Sequence, residues 1–206
     1  MAKEIHFTKT PVTAEMARIG GGALIGGVAD WPAAPDGTSL TLVASLPAAF
    51  INAHAGMDLP GEKFVSVFSY YDPEEYILDC ITYHGSAEEL AWLRQGYTRV
   101  ILHDRGAEQF GGVTIPAQAI ELDAADIVEP VLFQGSKIGG APGLLQAQPL
   151  ALDGQAFVLQ FYGGCFPKPF IGIFGLSDAV GYLFMSTASP GHAGPVDAGT
   201  FFVQAT

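Results

Sequence analysis

Glycine and proline recur along the whole chain, and their spacing limits the length of the helices and strands that the chain can form. The 206 residues include 26 Gly and 14 Pro, and long runs without either residue are scarce. Because both residues interrupt helices and favour turns, long helices are disfavoured and many short strands are favoured. Hydrophobic residues make up 49% of the chain and charged residues 15%, which is typical of a folded protein. We therefore predict a strand-rich α+β protein with a few short helices.

A Gly-Gly motif occurs twice and predicts an internal duplication. The first copy runs from Leu24 to Pro32 and the second from Lys137 to Gln146. Each copy is followed by an Asp-Gly turn and then by an apolar strand, with the turns at Asp36-Gly37 and Asp153-Gly154. We predict a single domain built from two duplicated β-meander modules, which cover about residues 19–130 and about residues 131–206.

Local patterns predict the individual elements. Ser86 followed by Glu89 has the spacing of a capping box and predicts a helix from about Ala87 to Gln95. Residues 12–18 suit another short helix, and Cys80 and Cys165 lie in apolar stretches, where we expect them to be buried. Apolar alternation and β-branched or aromatic residues predict strands at 40–46, 64–71, 76–83, 97–102, 156–162, 170–174, 181–186 and 200–204. The strands 64–71 and 76–83 are expected to form a hairpin with an acidic tip.

The charge balance narrows the classes of partner. Asp and Glu number 21 against nine Lys and Arg, which gives a formal net charge of −12. Such a surface repels nucleic-acid phosphates and anionic membranes, and it favours encounter with a basic protein. The sequence also offers no secretory signal and no membrane span, so we expect a soluble cytoplasmic protein.

Known catalytic motifs do not fit this chain. Gly21 and Gly26 have the spacing of a phosphate-binding loop, but Gly27 and Val28 stand where Lys and Ser or Thr are required. A dinucleotide fingerprint beginning at Gly20 would need a third glycine where Ile25 stands. The histidines never occur at spacings that are typical of a zinc site. We therefore predict no enzyme activity, no cofactor and no metal.

Acidic residues gather in two regions of the sequence. Between Lys63 and Arg94 the chain has no other Lys or Arg and carries six carboxylates: Asp72, Glu74, Glu75, Asp79, Glu88 and Glu89. A second group comprises Glu121, Asp123, Asp126 and Glu129. One interpretation is a solvated face that keeps the protein soluble, and the other is a docking surface for a basic protein, with the first six residues as the contacts.

The second half carries motifs that point to a family. Ile138-Gly139-Gly140-Ala141-Pro142 is followed by Gln146, by Val158-Leu159-Gln160, and by Gly181-Tyr182-Leu183-Phe184. This order resembles the YwqG-like family, a bacterial family of largely uncharacterised function. The first half departs from the pattern, since Ala44 and Ser45 stand where the family has a strand-end Gln.

The resemblance implies a function, because some YwqG-like proteins look like immunity proteins that neutralise a cognate toxin. On that interpretation this chain binds a basic effector, such as a nuclease, stoichiometrically in the cytoplasm. The alternative is a small-ligand-binding or regulatory module with a pocket between the two repeats. Gln146 and Gln160 would then be its polar anchors, and Trp31 and Tyr162 its walls.

Overall fold

Short strands joined by glycine- and proline-rich turns build one curled antiparallel sheet in the computed structural model, which describes residues 1–128, 134–188 and 194–205. The strands are β1 (Ala2–Thr8), β2 (Arg18–Ile19), β3 (Ala23–Gly26), β4 (Thr41–Pro47), β5 (Phe64–Ser69), β6 (Thr98–Gln109), β7 (Gln118–Asp126), β8 (Lys137–Gly139), β9 (Gln155–Tyr162), β10 (Val180–Ser186), β11 (Val196–Asp197) and β12 (Gly199–Gln204).

The order of the strands explains why the sheet curls. It runs β11-β6-β5-β4-β2-β7-β1-β8-β9-β10-β12, and β3 pairs separately with β6. Residues 196–204 join the two ends of this order, because β11 pairs with β6 and β12 pairs with β10. The sheet is therefore curled, and its two ends come together at residues 196–204.

Short helices lie between the strands. They are α1 (Ala48–Ala55), α2 (Leu78–Ile81) and α3 (Ala87–Trp92), and a π-helical turn follows at Leu93–Tyr97. The capping box predicted for α3 is confirmed, since Ser86 Oγ accepts from the Glu89 N–H at 3.1 Å and Glu89 Oε2 accepts from the Ser86 N–H at 3.2 Å. None of the helices in the described parts of the chain is long and apolar enough to span a membrane.

Two apolar clusters hold the helices to the sheet. The larger cluster runs through most of the sheet, from Ile5 on β1 to Val203 on β12. In the smaller cluster Leu90 and Leu93 pack with residues of β9, β10 and β12, such as Phe157 and Phe202. The Tyr83 N–H also donates to the Val203 carbonyl at 3.1 Å, so the segment that contains α2 and α3 is fixed against the end of the chain.

Most of the predicted strands are confirmed. Strands β4, β5, β6, β9, β10 and β12 lie where apolar runs predicted them. Each of the six residues of β5 is buried, which means that both faces of this strand are covered rather than one.

Three local predictions are wrong. Residues 76–83 contain helix α2 and do not form a strand, because β5 already pairs with β4 on one side and β6 on the other and has no free edge. The acidic tip of the expected hairpin is therefore a loop. Residues 170–174 begin with a 3₁₀ turn, and residues 12–18 form turns that lead into β2.

The cysteine prediction also fails in part. Cys80 is half-buried, whereas Cys165 is exposed, and both are free thiols. Cys165 ends a 3₁₀ turn directly after β9, where the chain leaves the sheet.

The two motif copies do not occupy equivalent places. Gly26 ends β3, which pairs with β6, whereas Gly139 ends β8, which lies between β1 and β9. The structure thus does not show a duplication in the register in which the Gly26-Gly27 and Gly139-Gly140 copies were aligned. The expected boundary between modules, near residue 130, and Glu129 of the second acidic group lie outside the described residues.

Candidate acidic docking site

The six predicted contact residues lie in the connection between strands β5 and β6, outside the sheet. After β5 the chain passes through a loop with Asp72, Glu74 and Glu75, then through α2, which carries Asp79. Helix α3 carries Glu88 and Glu89 near its start, before the chain returns to the sheet as β6. We call these six residues the acidic surface. Four of them are exposed, while Asp72 and Glu89 are half-buried.

Three of these carboxylates share a cavity of about 780 Å³, which we call the larger acidic cavity. Asp79 reaches it from α2, and Glu88 and Glu89 reach it from α3. The remaining lining residues are Tyr76, Leu78, Thr82, His84, Ser86, Trp92, Leu176 and Ala205. Among the described residues that line this cavity none is Lys or Arg, so the cavity favours a cation over an anion.

Asp72 and Glu75 line a second cavity of about 470 Å³, the smaller acidic cavity. Its walls are mainly apolar and include Ile77, Val113 and Phe170. Segment 71–79 contributes to both cavities, and Gly175 lines one while Leu176 lines the other. The two cavities are therefore neighbours, and five of the six predicted residues line one of them.

Glu74 has a different place, since it lines neither cavity. Its N–H donates to Asp72 Oδ1 at 2.8 Å, which closes a tight turn in the loop. The exposed Glu74 side chain adds negative charge beside the cavities.

Hydrogen bonds fix the orientation and charge of Glu89. Burial raises the pKa of its carboxyl group, but the N–H groups of His84 and Ser86 donate to it and lower the pKa below its usual value. Its Oε1 also lies 3.2 Å from His84 Nδ1. Glu89 is thus held in its charged form as part of the cavity wall.

Large apolar side chains are exposed around the same cavities. Tyr76 is 72% exposed, Leu176 is 40% exposed and Trp92 is 39% exposed, and all three line the larger acidic cavity. Val113, which lines the smaller acidic cavity, is 40% exposed. A concentration of exposed apolar side chains on one face is typical of a surface that another molecule covers.

The sequence patterns do not reveal these apolar residues as part of a site. They place Tyr76 on a strand and Trp92 on the buried side of its helix. Leu176 lies far along the chain from α3, so only the fold could bring it to the acidic surface. One signal is available for Trp92, because it follows Glu88 by four residues and so shares a face of α3 with it.

The residues expected for a small-ligand pocket have structural contacts. Gln160 is fully buried; its Oε1 accepts from the Gly143 N–H at 2.7 Å and its Nε2 donates to the Gly135 carbonyl at 2.8 Å. Gln160 thus holds the segments on both sides of β8 against β9. Trp31 Nε1 donates to the Leu40 carbonyl at 2.7 Å, on the other half of the chain.

Gln146 and Tyr162 also contact the protein itself, through their backbone N–H groups. The Gln146 N–H donates to Gln204 Oε1 at 3.3 Å, and the Tyr162 N–H donates to Ser136 Oγ at 2.9 Å. Trp31, Gln146, Gln160 and Tyr162 line neither of the two acidic cavities.

A third cavity, of about 530 Å³, has a balanced charge. Arg94, Arg99, Asp153 and Asp197 line it, and Arg99 donates two hydrogen bonds to Asp197, at 2.9 and 3.1 Å. Because the charges of its walls offset one another, this cavity does not select a partner by net charge.

The strands β1 and β7 bring together one group that histidine spacing could not reveal. Glu4, His6 and Asp123 offer possible metal-ligand atoms that lie within 4.8 Å of one another. His6 Nε2 lies 2.9 Å from Asp123 Oδ1, and both side chains are about half exposed, as in an ordinary hydrogen bond at the surface.

Comparison with known proteins gives no family for this chain. No protein-family model matches the sequence, and no curated protein matches it.

Proposed function

We propose that this protein is an immunity protein, which binds a cognate bacterial toxin directly in the cytoplasm and blocks it by stoichiometric binding. One observation carries the proposal: five of the six carboxylates of the acidic surface line two neighbouring cavities together with exposed apolar side chains. The resemblance to the YwqG-like family supports the same function. Inhibition by binding requires a complementary surface and no reaction chemistry of the inhibitor's own.

The negative charge of this protein supports the proposal that its partner is basic, such as a nuclease toxin. The net charge of −12 attracts a cationic protein over a distance, and the acidic surface concentrates negative potential at the two cavities. Electrostatic attraction of this kind raises association rates above about 10⁶ M⁻¹s⁻¹ and weakens as salt is added.

The exposed apolar residues support a lasting complex. Aromatic side chains supply much of the binding energy in protein interfaces, where polar and charged residues surround them. Tyr76 and Trp92 with the carboxylates around them have this arrangement. Charge would thus govern the rate of encounter, and the apolar contacts would slow dissociation.

Growth rescue tests the proposal. The toxin to use is the product of the reading frame adjacent to the gene for this protein, expressed together with the wild-type chain or a variant. We expect the wild-type chain to restore growth and the variant Asp72→Lys/Glu74→Lys/Glu75→Lys to protect poorly, because the reversed charges repel a basic toxin.

A matched variant distinguishes the effect of the acidic surface from the effect of the protein's net charge. Glu121→Lys/Asp123→Lys/Asp126→Lys changes the net charge by the same amount on β7, in the middle of the sheet. We expect it to protect nearly as well as the wild-type chain. Equal protection by the two variants, or no protection by the wild-type chain, would contradict the proposal.

We also infer that the chain consists of two equivalent halves, aligned in a register different from that of the Gly26-Gly27 motif. The strand order supports this inference, since β6-β5-β4-β2 on one side of the central β7-β1 pair mirrors β12-β10-β9-β8 on the other. In this register Arg18-Ile19-Gly20-Gly21 corresponds to Lys137-Ile138-Gly139-Gly140, and all four glycines have positive φ angles, between 58° and 75°.

Cross-strand pairs support the same register. Arg18 pairs with Ser45, and Lys137 pairs with Gln160, so Ser45 stands where the second half has its strand-end Gln. The next neighbours across the sheet are Ser66 and Ile101 in the first half, and Tyr182 and Phe202 in the second.

The buried cations of the two halves have matching contacts. Arg18 donates to the carbonyl of Gly22, four residues ahead, and Lys137 donates to the carbonyl of Ala141, also four residues ahead, at 2.6 Å. Each cation holds the glycine-rich turn that follows its own strand.

A further inference from the structure

Unpartnered carboxylates and exposed rings meet in the larger acidic cavity. The carboxylates of Asp79 and Glu88 make no hydrogen bond or ion pair with any other residue that the structure describes, whereas the Glu89 carboxylate is engaged by His84 and Ser86. Tyr76 and Trp92 line the same cavity and are exposed. The cavity therefore offers free negative charge beside aromatic surface.

Helix geometry places one carboxylate and one ring side by side. Glu88 and Trp92 are four residues apart on α3, so their side chains lie on the same face of the helix. Asp79 reaches the cavity from α2, and Tyr76 reaches it from the loop before α2. A cation that pairs with Glu88 thus comes close to the Trp92 ring as well.

An arginine side chain has the chemistry that this arrangement recognises. Its guanidinium group is planar, stacks on aromatic rings and donates two parallel hydrogen bonds to a carboxylate. An ammonium group pairs with carboxylates but is compact and strongly hydrated, so it gains less from the rings. Anionic side chains are repelled, and uncharged ones leave the carboxylates without a partner.

We propose that the larger acidic cavity is the binding site for an arginine side chain of the protein partner. The volume of about 780 Å³ lies within the range of about 300–1,000 Å³ that is usual for ligand sites, so it accommodates the side chain and its flanking backbone. Asp79 and Glu88 contact the guanidinium, Trp92 and Tyr76 pack against its plane, and Glu89 positions the start of α3. This inference rests on the proposed function and specifies how the partner is recognised.

A short peptide tests the site without the partner. The probe is acetyl-Gly-Arg-Gly-amide, titrated into the ¹⁵N-labelled full-length chain while NMR spectra are recorded. The chain has two tryptophans, so the indole N–H of Trp92 reports on the cavity and that of Trp31 serves as an internal control. The variant Trp92→Phe assigns the two signals. We expect saturable shifts of the Trp92 indole and of the Glu88 backbone N–H, with the Trp31 indole unchanged.

Matched peptides and variants define the specificity. The citrulline peptide, which has the same shape without the charge, and the lysine peptide are both expected to bind at least several-fold more weakly. Glu88→Gln and Asp79→Asn are each expected to weaken arginine-peptide binding by about tenfold, because each removes a charge-assisted hydrogen bond. Glu121→Gln makes the same chemical change on β7 and is expected to have no effect.

The peptide titrations and the growth-rescue experiment together distinguish failure of the arginine site from failure of the proposed function. Equal binding of the arginine and citrulline peptides, equal binding of the lysine peptide, or no saturable shift at Trp92 would overturn the arginine site. If these results appear while the wild-type chain still protects cells against the toxin, the arginine site is wrong and the proposed function stands. Arginine-selective binding without protection would leave the site intact and reject the immunity function.

Discussion

Replacing Arg18 by methionine tests whether one buried cation holds the first glycine-rich turn. Arg18 is 1% exposed, and its guanidinium donates to the carbonyls of Gly20 and Gly22 and pairs with Glu108 at 3.3 Å. Burial lowers the pKa of this guanidinium, and the Glu108 carboxylate opposes that change. Methionine keeps the apolar stem and removes every donor.

The expected loss follows from these contacts. Removing the guanidinium costs about 3–5 kcal/mol, because the carbonyls of Gly20 and Gly22 stay buried without this donor, at about 1–3 kcal/mol each. With a urea dependence of about 2–3 kcal/mol per M, the midpoint of unfolding should fall by roughly 1–2.5 M.

The assay is urea unfolding of the wild-type chain and two arginine variants. Arg99→Met is the matched control, since Arg99 pairs with Asp197 at the surface, where both side chains are more than a third exposed. We expect it to cost less than about 1 kcal/mol. A midpoint for Arg18→Met that equals the Arg99→Met midpoint would refute the idea that the guanidinium holds the turn.

Two further predictions concern the capping box and a buried histidine. Ser86→Ala removes the hydroxyl that accepts from the Glu89 N–H, and we expect urea unfolding to show a loss of about 1 kcal/mol; no loss would mean that α3 is held by packing alone. His103 is fully buried, with Nδ1 2.8 Å from the Asp104 carbonyl and Nε2 2.9 Å from Ser66 Oγ, and burial lowers its pKa despite the bond to that carbonyl. Because folding favours neutral His103, its contribution to stability is present above the unfolded pKa of about 6.5 and is lost as the pH falls through the lowered folded pKa. We expect His103→Gln to lose less stability than the wild-type chain between pH 7.5 and pH 5.5, and equal losses would show that His103 does not carry this dependence.

Strands that combine apolar alternation with flanking turns could be predicted from the sequence. Segments 40–46 and 181–186 were predicted in this way, and strands β4 (Thr41–Pro47) and β10 (Val180–Ser186) lie there. The capping box at Ser86 and Glu89 also gave the start of α3 correctly, because its contacts are local.

Segment 76–83 shows where local patterns mislead. Ile77, Ile81 and Thr82 favour a strand by their intrinsic propensity. However, both edges of β5 are already paired, one with β4 and the other with β6. Without an edge to pair with, this segment packs as helix α2. Helix α1 was missed as well, although Gly56, with a φ of 68°, is the kind of residue that ends helices.

The acidic residues of the candidate site could be predicted from the sequence, and its apolar residues could not. Asp72 and Glu88 are conspicuous in a segment that has no Lys or Arg between Lys63 and Arg94. Leu176, by contrast, joins them only because the sheet brings distant segments together. The buried role of Arg18 was hidden for the same reason, although a cation stands directly before Ile-Gly-Gly in both halves.

The most direct test of the proposed function is the association rate with the product of the adjacent reading frame, which is the toxin if the proposal is correct. Stopped-flow measurements at low and at physiological salt would compare the wild-type chain, Asp72→Lys/Glu74→Lys/Glu75→Lys and Glu121→Lys/Asp123→Lys/Asp126→Lys. We expect a wild-type rate constant that falls as salt rises, and at low salt a decrease of at least about tenfold for the first variant and a much smaller one for the second. Equal rate constants for the two variants, or a wild-type rate constant that salt does not change, would contradict a partner that docks on the acidic surface.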